Sequence, residues 1–243
     1  MTRYFRLTIP QARTEGDNLT LTPEQHHYLG HVLRLGPRAN FIAMNGQGQA
    51  WLAELSLDTH QATLIHPLDQ AHELPIDLVL CIAILRNNAL DQVIHQATEL
   101  GVKQIYPILT ARSLPAPSSQ KLTRWQRIAQ EAAEQSERLY VPQITTPQAW
   151  TEVLKLGDPL SRKYICSLGE QIRSLVNQLA DQQETSREIW LAVGPEAGWT
   201  ETEQELARAA NWYPVSLGTR TLRAITAAIV GLGLIANHPI RQT

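Results

Sequence analysis

Cysteine is scarce in this chain: the 243 residues hold two, Cys81 and Cys166, each inside an apolar run. That count excludes a disulfide framework, and with no CxxC and no His/Cys cluster at ligand spacing the sequence offers no metal site. An excess of either charge is also lacking. The 21 Lys and Arg nearly balance the 23 Asp and Glu, for a formal net charge of −2. No overall basic field attracts nucleic acid, so such a partner has to be held by a local patch. No apolar run approaches the length that spans a membrane, and MTRYFRLTIP lacks the long apolar core of a signal peptide. The expectation is a cytoplasmic protein with reduced thiols and no membrane partner. GxGxxG after the first strand, GxxxxGK[ST] and G-x-S-x-G are all missing, which argues against a dinucleotide fold, a P-loop and a nucleophile elbow.

What is present is an ordinary globular composition, 43% hydrophobic and 18% charged, long enough for one or two domains. Residues 1 to 70 read as a small β-rich domain. Tyr4 to Leu7, Asn40 to Met44, Ala50 to Leu57 and Ala62 to Ile65 alternate as strands do, with Asn45-Gly46 placed for a hairpin. One helix interrupts them: Thr22 is a good N-cap, Pro23 suits the first turn, and Gln25 completes a capping box ahead of His26 to Leu33. His27, His31 and Arg34 then fall at i, i+4 and i+7 and share a helix face. That face reads equally well as merely solvated. Its company favours RNA docking, because every cation before position 70 is arginine (Arg3, Arg6, Arg13, Arg34, Arg38), which suits bidentate phosphate contacts.

The segment HPLDQAHELP, with two prolines and little periodicity, marks a boundary, and the second domain is expected over 74–243. From there strands alternate with helices. Ile76 to Leu85, Lys103 to Leu109, Lys163 to Ser167 and Glu188 to Val193 read as strands. Leu90 to Leu100, stopped by Gly101, 118 to 138 and Ile172 to Leu179 read as helices. This alternation predicts an α/β fold with a mostly parallel sheet. Arg86, Asn87 and Asn88 after the first of these strands are candidate RNA contacts. Arg112, Lys121, Arg124 and Arg127 around Trp125 are weaker ones, better read as a solvated helix face.

The stretch from Trp190 to Ala228 carries the chemistry. Two apolar runs each break into a glycine turn and then a helix start: GPEAGWT with its Thr200–Glu203 capping box, and SLGTRTLR before an apolar helix, Ala224 to Ala236. Glycine turns at the carboxyl ends of parallel strands are where open α/β sheets place ligands, although one such turn alone is only a tight connection. Glu196 inside the first turn repels a phosphate and suits a neutral or cationic ligand; a sulfonium cofactor meets that condition. The small-residue helix reads both as the central core helix and as a dimer interface.

GPEAGWT, SLGTRTLRAITAA, LDQVIHQATELGV and RSLPAPSSQKLTRWQRIAQEAAEQSERLYVPQI together resemble the RsmE family of small-subunit (16S) ribosomal RNA uridine-N3 methyltransferases, of the SPOUT superfamily. HHYLGHVLRLGPR also resembles that family's N-terminal element, so the likeness covers nearly the whole chain. The resemblance implies a PUA-like β-barrel followed by a SPOUT domain with a C-terminal trefoil knot, an S-adenosyl-L-methionine site in the knot, and a homodimer. It implies small-subunit ribosomal RNA or the 30S particle as partner. Carried over by position, Leu168, Gly194, Pro195, Glu196, Gly198, Leu217, Gly218, Leu222 and Arg223 line the cofactor.

The chain departs from the family pattern at Ala197 for a glycine, Thr219 for a proline, Ala224-Ile225 for Thr-Glu, and Ala89 for a lysine ahead of Leu90-Asp91. A uracil N3 is a weakly acidic imide and becomes nucleophilic as its proton leaves. Arg220 or Arg223 beside the cofactor loop is the candidate to stabilise the resulting anion, with a structural ion pair to Glu196 as the competing role for either. Because Ile225 replaces a glutamate, a catalytically silent RNA-binding or ribosome-assembly factor is the alternative from another class; a SPOUT enzyme for another RNA position is the second.

Overall fold

The structure, a computed structural model, describes residues 4–9, 14–69, 73–169, 171–181 and 187–238. It forms two compact units. The first comprises the described residues up to Glu73 together with Gln130–Val141, and the second comprises Leu74–Ala129 and the described residues from Pro142 onward.

In the first unit, strands β1 (Arg6–Thr8), β2 (Thr14–Glu15), β3 (Asn18–Thr20), β4 (Asn40–Met44), β5 (Ala50–Leu55) and β6 (Gln61–Leu68) form one sheet in the order β1-β4-β5-β6-β3-β2. Only β1–β4 is parallel. Past Asn40 the β4 sequence FIAM is apolar because both of its faces are covered. Phe41 and Ala43 join Leu7, Leu19 and Leu55 in one cluster, while Ile42 and Met44 meet Ala133 and Leu139 in another. The period of two is preserved; it is the solvent face that is missing.

Helix α1 (Pro23–His27) starts with the expected capping box between Thr22 and Gln25. It then departs from expectation. The next turn, Tyr28–Val32, is a π-helix, with Leu33 N–H donating to the Tyr28 carbonyl at 2.9 Å, and the helix ends there. Arg34 lies beyond it in a left-handed conformation at φ 55°. The single α-helical face with Arg34 at i+7 is therefore corrected: His27 and His31 do stack, at 4.9 Å between ring centroids, but Arg34 belongs to the following turn. Widening the turn seats Leu29 in the core at 1% exposure.

The second unit alternates β7 (Asp77–Ala83), α2 (Ala89–Glu99), β8 (Gln104–Leu109), α3 (Ser119–Gln135), β9 (Gln143–Ile144), β10 (Gln148–Ala149), α4 (Trp150–Val153), β11 (Arg162–Cys166), α5 (Leu175–Ala180), β12 (Glu188–Val193), α6 (Glu201–Ala209), β13 (Trp212–Val215) and α7 (Ala224–Ala236). The last residues of α3 group with the first unit. The sheet runs β10-β8-β7-β12-β11-β13, with β9 beside β8, and every pairing is parallel. Gly101, at φ 89°, ends α2 where a Cβ would sit 2.7 Å from Leu74.

Side chains of β12 alternate as a strand buried on both faces requires. Trp190 and Ala192 enter a cluster with Trp150, Trp199 and Trp212, and Leu191 points the other way, onto α7. There Gly231 allows the contact, because a Cβ at that position would lie 2.6 Å from a Leu191 methyl. This packs the middle of α7 against β12. No helix among the described residues is long and apolar enough to cross a membrane.

Candidate functional site

Three adjacent parallel strands, β12, β11 and β13, end at one edge of the sheet, and their carboxyl ends with the turns that follow enclose a cleft of about 460 Å³. Its walls are Cys166–Leu168 at the end of β11, Val193–Trp199 at the end of β12, and Val215, Leu217, Gly218 and Arg220–Arg223 at the end of β13, closed by Ala224 and Ala227 of α7. Outside the carboxyl ends of parallel strands is the expected position for a ligand. Leu168, Gly194, Pro195, Glu196, Gly198, Leu217, Gly218, Leu222, Arg220 and Arg223 all line this one cleft.

The first turn is braced from several directions. Gly198, at φ 70°, closes the turn by donating its N–H to the Pro195 carbonyl at 2.8 Å. Gly194 has no room for a side chain, since a Cβ would meet the Trp199 ring at 2.9 Å. The Trp199 indole donates to the Cys166 carbonyl at 3.0 Å and so ties the turn to the end of β11. Arg112 donates to the Ala197 carbonyl at 3.0 Å. The Thr200–Glu203 capping box forms as expected, and the other Glu203 oxygen accepts from the Ala111 N–H at 2.8 Å.

The second turn is held by Ser216, whose hydroxyl accepts from the Gly218 N–H at 3.2 Å and donates to the Gly218 carbonyl at 3.0 Å. Gly218 has φ 122°. Neither Gly198 nor Gly218 has any atom within 4 Å of where a Cβ would stand. Their need for glycine is conformational, and the space above the backbone is left open for a ligand.

Charge in the cleft is mixed. Glu196 is exposed and accepts a hydrogen bond from the Arg86 backbone N–H at 3.2 Å, which brings Arg86 to the rim. Among the described residues neither Arg220 nor Arg223 forms an ion pair, so the structural pairing with Glu196 is absent and both guanidiniums are available to a ligand. Burial pushes the Cys166 thiol up to about 12, and it stays protonated and non-nucleophilic at neutral pH. Ile225 does not line the cleft.

The other candidates are not among the residues that line it. Arg6 is corrected: it is only 7% exposed and donates to Glu137 at 3.1 Å, because β1 turns it inward onto the 130–141 segment. It is not a surface contact for RNA. Arg3 lies outside the described residues, as does Arg13. Trp125 is fully buried, donating to Asp91 at 2.8 Å, and Arg124 pairs with the same carboxylate. Sequence reasoning missed the brace from Arg112 and the wall from Cys166 and Ser167. Trp199, inside the glycine motif itself, was available to it.

Residues 72–236 match the RNA methyltransferase domain and residues 21–65 the RNA methyltransferase PUA domain, so the protein is of the RNA methyltransferase class. A ribosomal RNA small subunit methyltransferase E from Synechocystis sp. is 38% identical over 95% of this chain and 77% of its own length. One from Bacillus subtilis is 27% identical over 97% and 96%. The crystal structure of the Neisseria gonorrhoeae enzyme of that name, bound to S-adenosyl methionine, superposes with a TM-score of 0.84 at 30% identity, covering 95% of each chain. The chain belongs to the ribosomal RNA small subunit methyltransferase E family.

Proposed function

We propose that this protein transfers a methyl group from S-adenosyl-L-methionine to N3 of a uridine in small-subunit ribosomal RNA, acting as a homodimer on an assembled or assembling subunit in the cytoplasm. The observation that carries the reading is the convergence on one cleft of both glycine turns and two arginines that form no ion pair among the described residues.

The residues present fit the cofactor. Apolar walls from Leu217, Leu222 and Val193 suit its adenine, the open backbone at Gly198 and Gly218 admits close approach, and Glu196 beside Arg220 and Arg223 suits a ligand with both a sulfonium and a carboxylate. When bound, S-adenosyl-L-methionine supplies an electrophilic methyl group. The chain's own part is alignment and charge: it holds the acceptor base in line and keeps competing water out. A guanidinium from Arg220 or Arg223 beside a uracil carbonyl oxygen favours loss of the N3 proton by stabilising the imide anion. Pairing in a duplex buries N3, so the target is presented unpaired, with the first unit and the Arg86 rim gripping neighbouring RNA.

The dimer reading rests on α7. Thr226 and Val230 are exposed, and Ile225, Ile229 and Leu234 are half-buried, an apolar surface that a second copy would cover.

Calorimetry with S-adenosyl-L-methionine tests the cofactor, with saturable binding expected. Mass mapping of small-subunit ribosomal RNA from a deletion strain, with and without the restored gene, tests the base. A uridine pattern that does not change would refute the substrate. Sedimentation showing only monomer at micromolar concentration would remove the dimer.

A further inference from the structure

A second cavity, of about 210 Å³, opens within the first unit, far in sequence from the cleft and composed of different chemistry. It is smaller than the roughly 300 Å³ at which sites for drug-sized ligands begin. Its walls are apolar, from Ile9, Leu19, Met44 and Leu64, and its notable members are Trp51 and Asp17. Trp51 stands on the same sheet face as its cross-strand partner Ala43, a core residue, yet its ring is partly exposed. Trp51 thus lines the cavity from an inward strand position and offers it an aromatic ring. We propose that this cavity takes one unpaired guanine base of the RNA, stacked on Trp51 and held by Asp17. The proposal rests on the reading of the chain as a ribosomal RNA methyltransferase and deepens it by naming a recognition element outside the reaction site.

The choice of base follows from the polar groups. Asn45 lines the cavity, but its amide is committed to the hairpin: its oxygen accepts from the Gln47 and Gln49 N–H groups at 2.8 and 3.1 Å, and its nitrogen donates to the Gln49 side chain at 2.8 Å. Asp17 is positioned by its main chain, whose carbonyl accepts from Leu64 N–H at 2.7 Å, and its carboxylate has no partner among the described residues. A phosphate is repelled there. An ionised carboxylate only accepts hydrogen bonds. Guanine alone offers two adjacent donors, N1–H and the N2 amino group, on its pairing edge; adenine, cytosine and uracil each set an acceptor beside their donor. An RNA duplex hides that edge, whereas a splayed base exposes it and stacks on an aromatic ring.

The test uses the intact protein labelled with 5-fluorotryptophan, the Trp51 fluorine resonance being assigned with Trp51→Phe. Titration with the 5′-monophosphates of guanosine, adenosine, cytidine and uridine is expected to move the Trp51 signal saturably with the guanine nucleotide, at least about five-fold more tightly than with the others. Asp17→Asn, which offers one donor and one acceptor, is expected to reverse the preference toward adenine. No movement at millimolar nucleotide, equal movement with all four, or an unchanged preference in Asp17→Asn would overturn the proposal. Calorimetry with S-adenosyl-L-methionine on the same samples separates the two readings. Cofactor binding without guanine selectivity removes only the base pocket, and loss of cofactor binding in the parent protein removes the enzyme reading instead.

Discussion

The indole N–H of Trp199 donates to the carbonyl of Cys166 at 3.0 Å, fastening the loop after β12 to the end of β11. Without that bond two of the three cleft walls would be joined only through the sheet.

Trp199→Phe keeps the ring against Gly194 and removes the donor. The loop loses an anchor and a carbonyl is left unpaired, so S-adenosyl-L-methionine affinity is expected to fall about 3- to 10-fold, the measure of one ordinary hydrogen bond. Calorimetry reads it directly, and an affinity equal to the parent's would show that the bond does not organise the cleft.

Arg220→Ala and Arg223→Ala separate binding from chemistry. Whichever guanidinium stabilises the uracil anion, its loss is expected to lower the methylation rate at saturating cofactor by about 10²- to 10³-fold, whereas loss of one that only holds the cofactor carboxylate raises the cofactor dissociation constant and leaves that rate in place. Single-turnover assays on small-subunit particles measure the first quantity. If both variants methylate at the parent rate, neither arginine meets the base.

Gly231→Ala forces a methyl into the Leu191 contact on the far side of β12. Overpacking of this kind costs about 1–3 kcal/mol, and at this chain length each kcal/mol lowers the melting temperature by about 2–4 °C. An unshifted melting curve would mean that α7 has slack against the sheet.

Burial disfavours the Cys166 thiolate and pushes the thiol up to about 12 from its ordinary value of 9.0. The folded state therefore holds this proton more tightly than the unfolded state does, and the associated stability is complete below pH 9 and drains away as pH rises toward 12. The stability measured by chemical denaturation is expected to fall less steeply from pH 8 upward in Cys166→Ala than in the parent. Alkylation of the native protein at pH 8 is expected to be far slower than that of the denatured chain.

Much of this was legible because it is local. The capping boxes at Thr22 and Thr200 are written in four residues each, and α7 spans the predicted Ala224–Ala236 because nothing polar interrupts it. What escaped is settled by partners distant in the chain. The two-residue strands Gln143–Ile144 and Gln148–Ala149 exist through backbone pairing with β8 and carry no side-chain pattern of their own. The π turn after His27 serves the burial of Leu29. Arg112 is a brace only because α6 and the glycine loop come to lie beside it.

The burial of Arg6 against Glu137 has an ionic consequence. A guanidinium held inside the first unit displaces no condensed cations from RNA, which leaves Arg34 and Arg38 as the exposed arginines of that unit among the described residues. Each phosphate contact contributes about 0.7–0.9 to the logarithmic salt slope. Under the proposed function, RNA binding through this unit should therefore survive a rise in ionic strength that strips off a basic-patch binder.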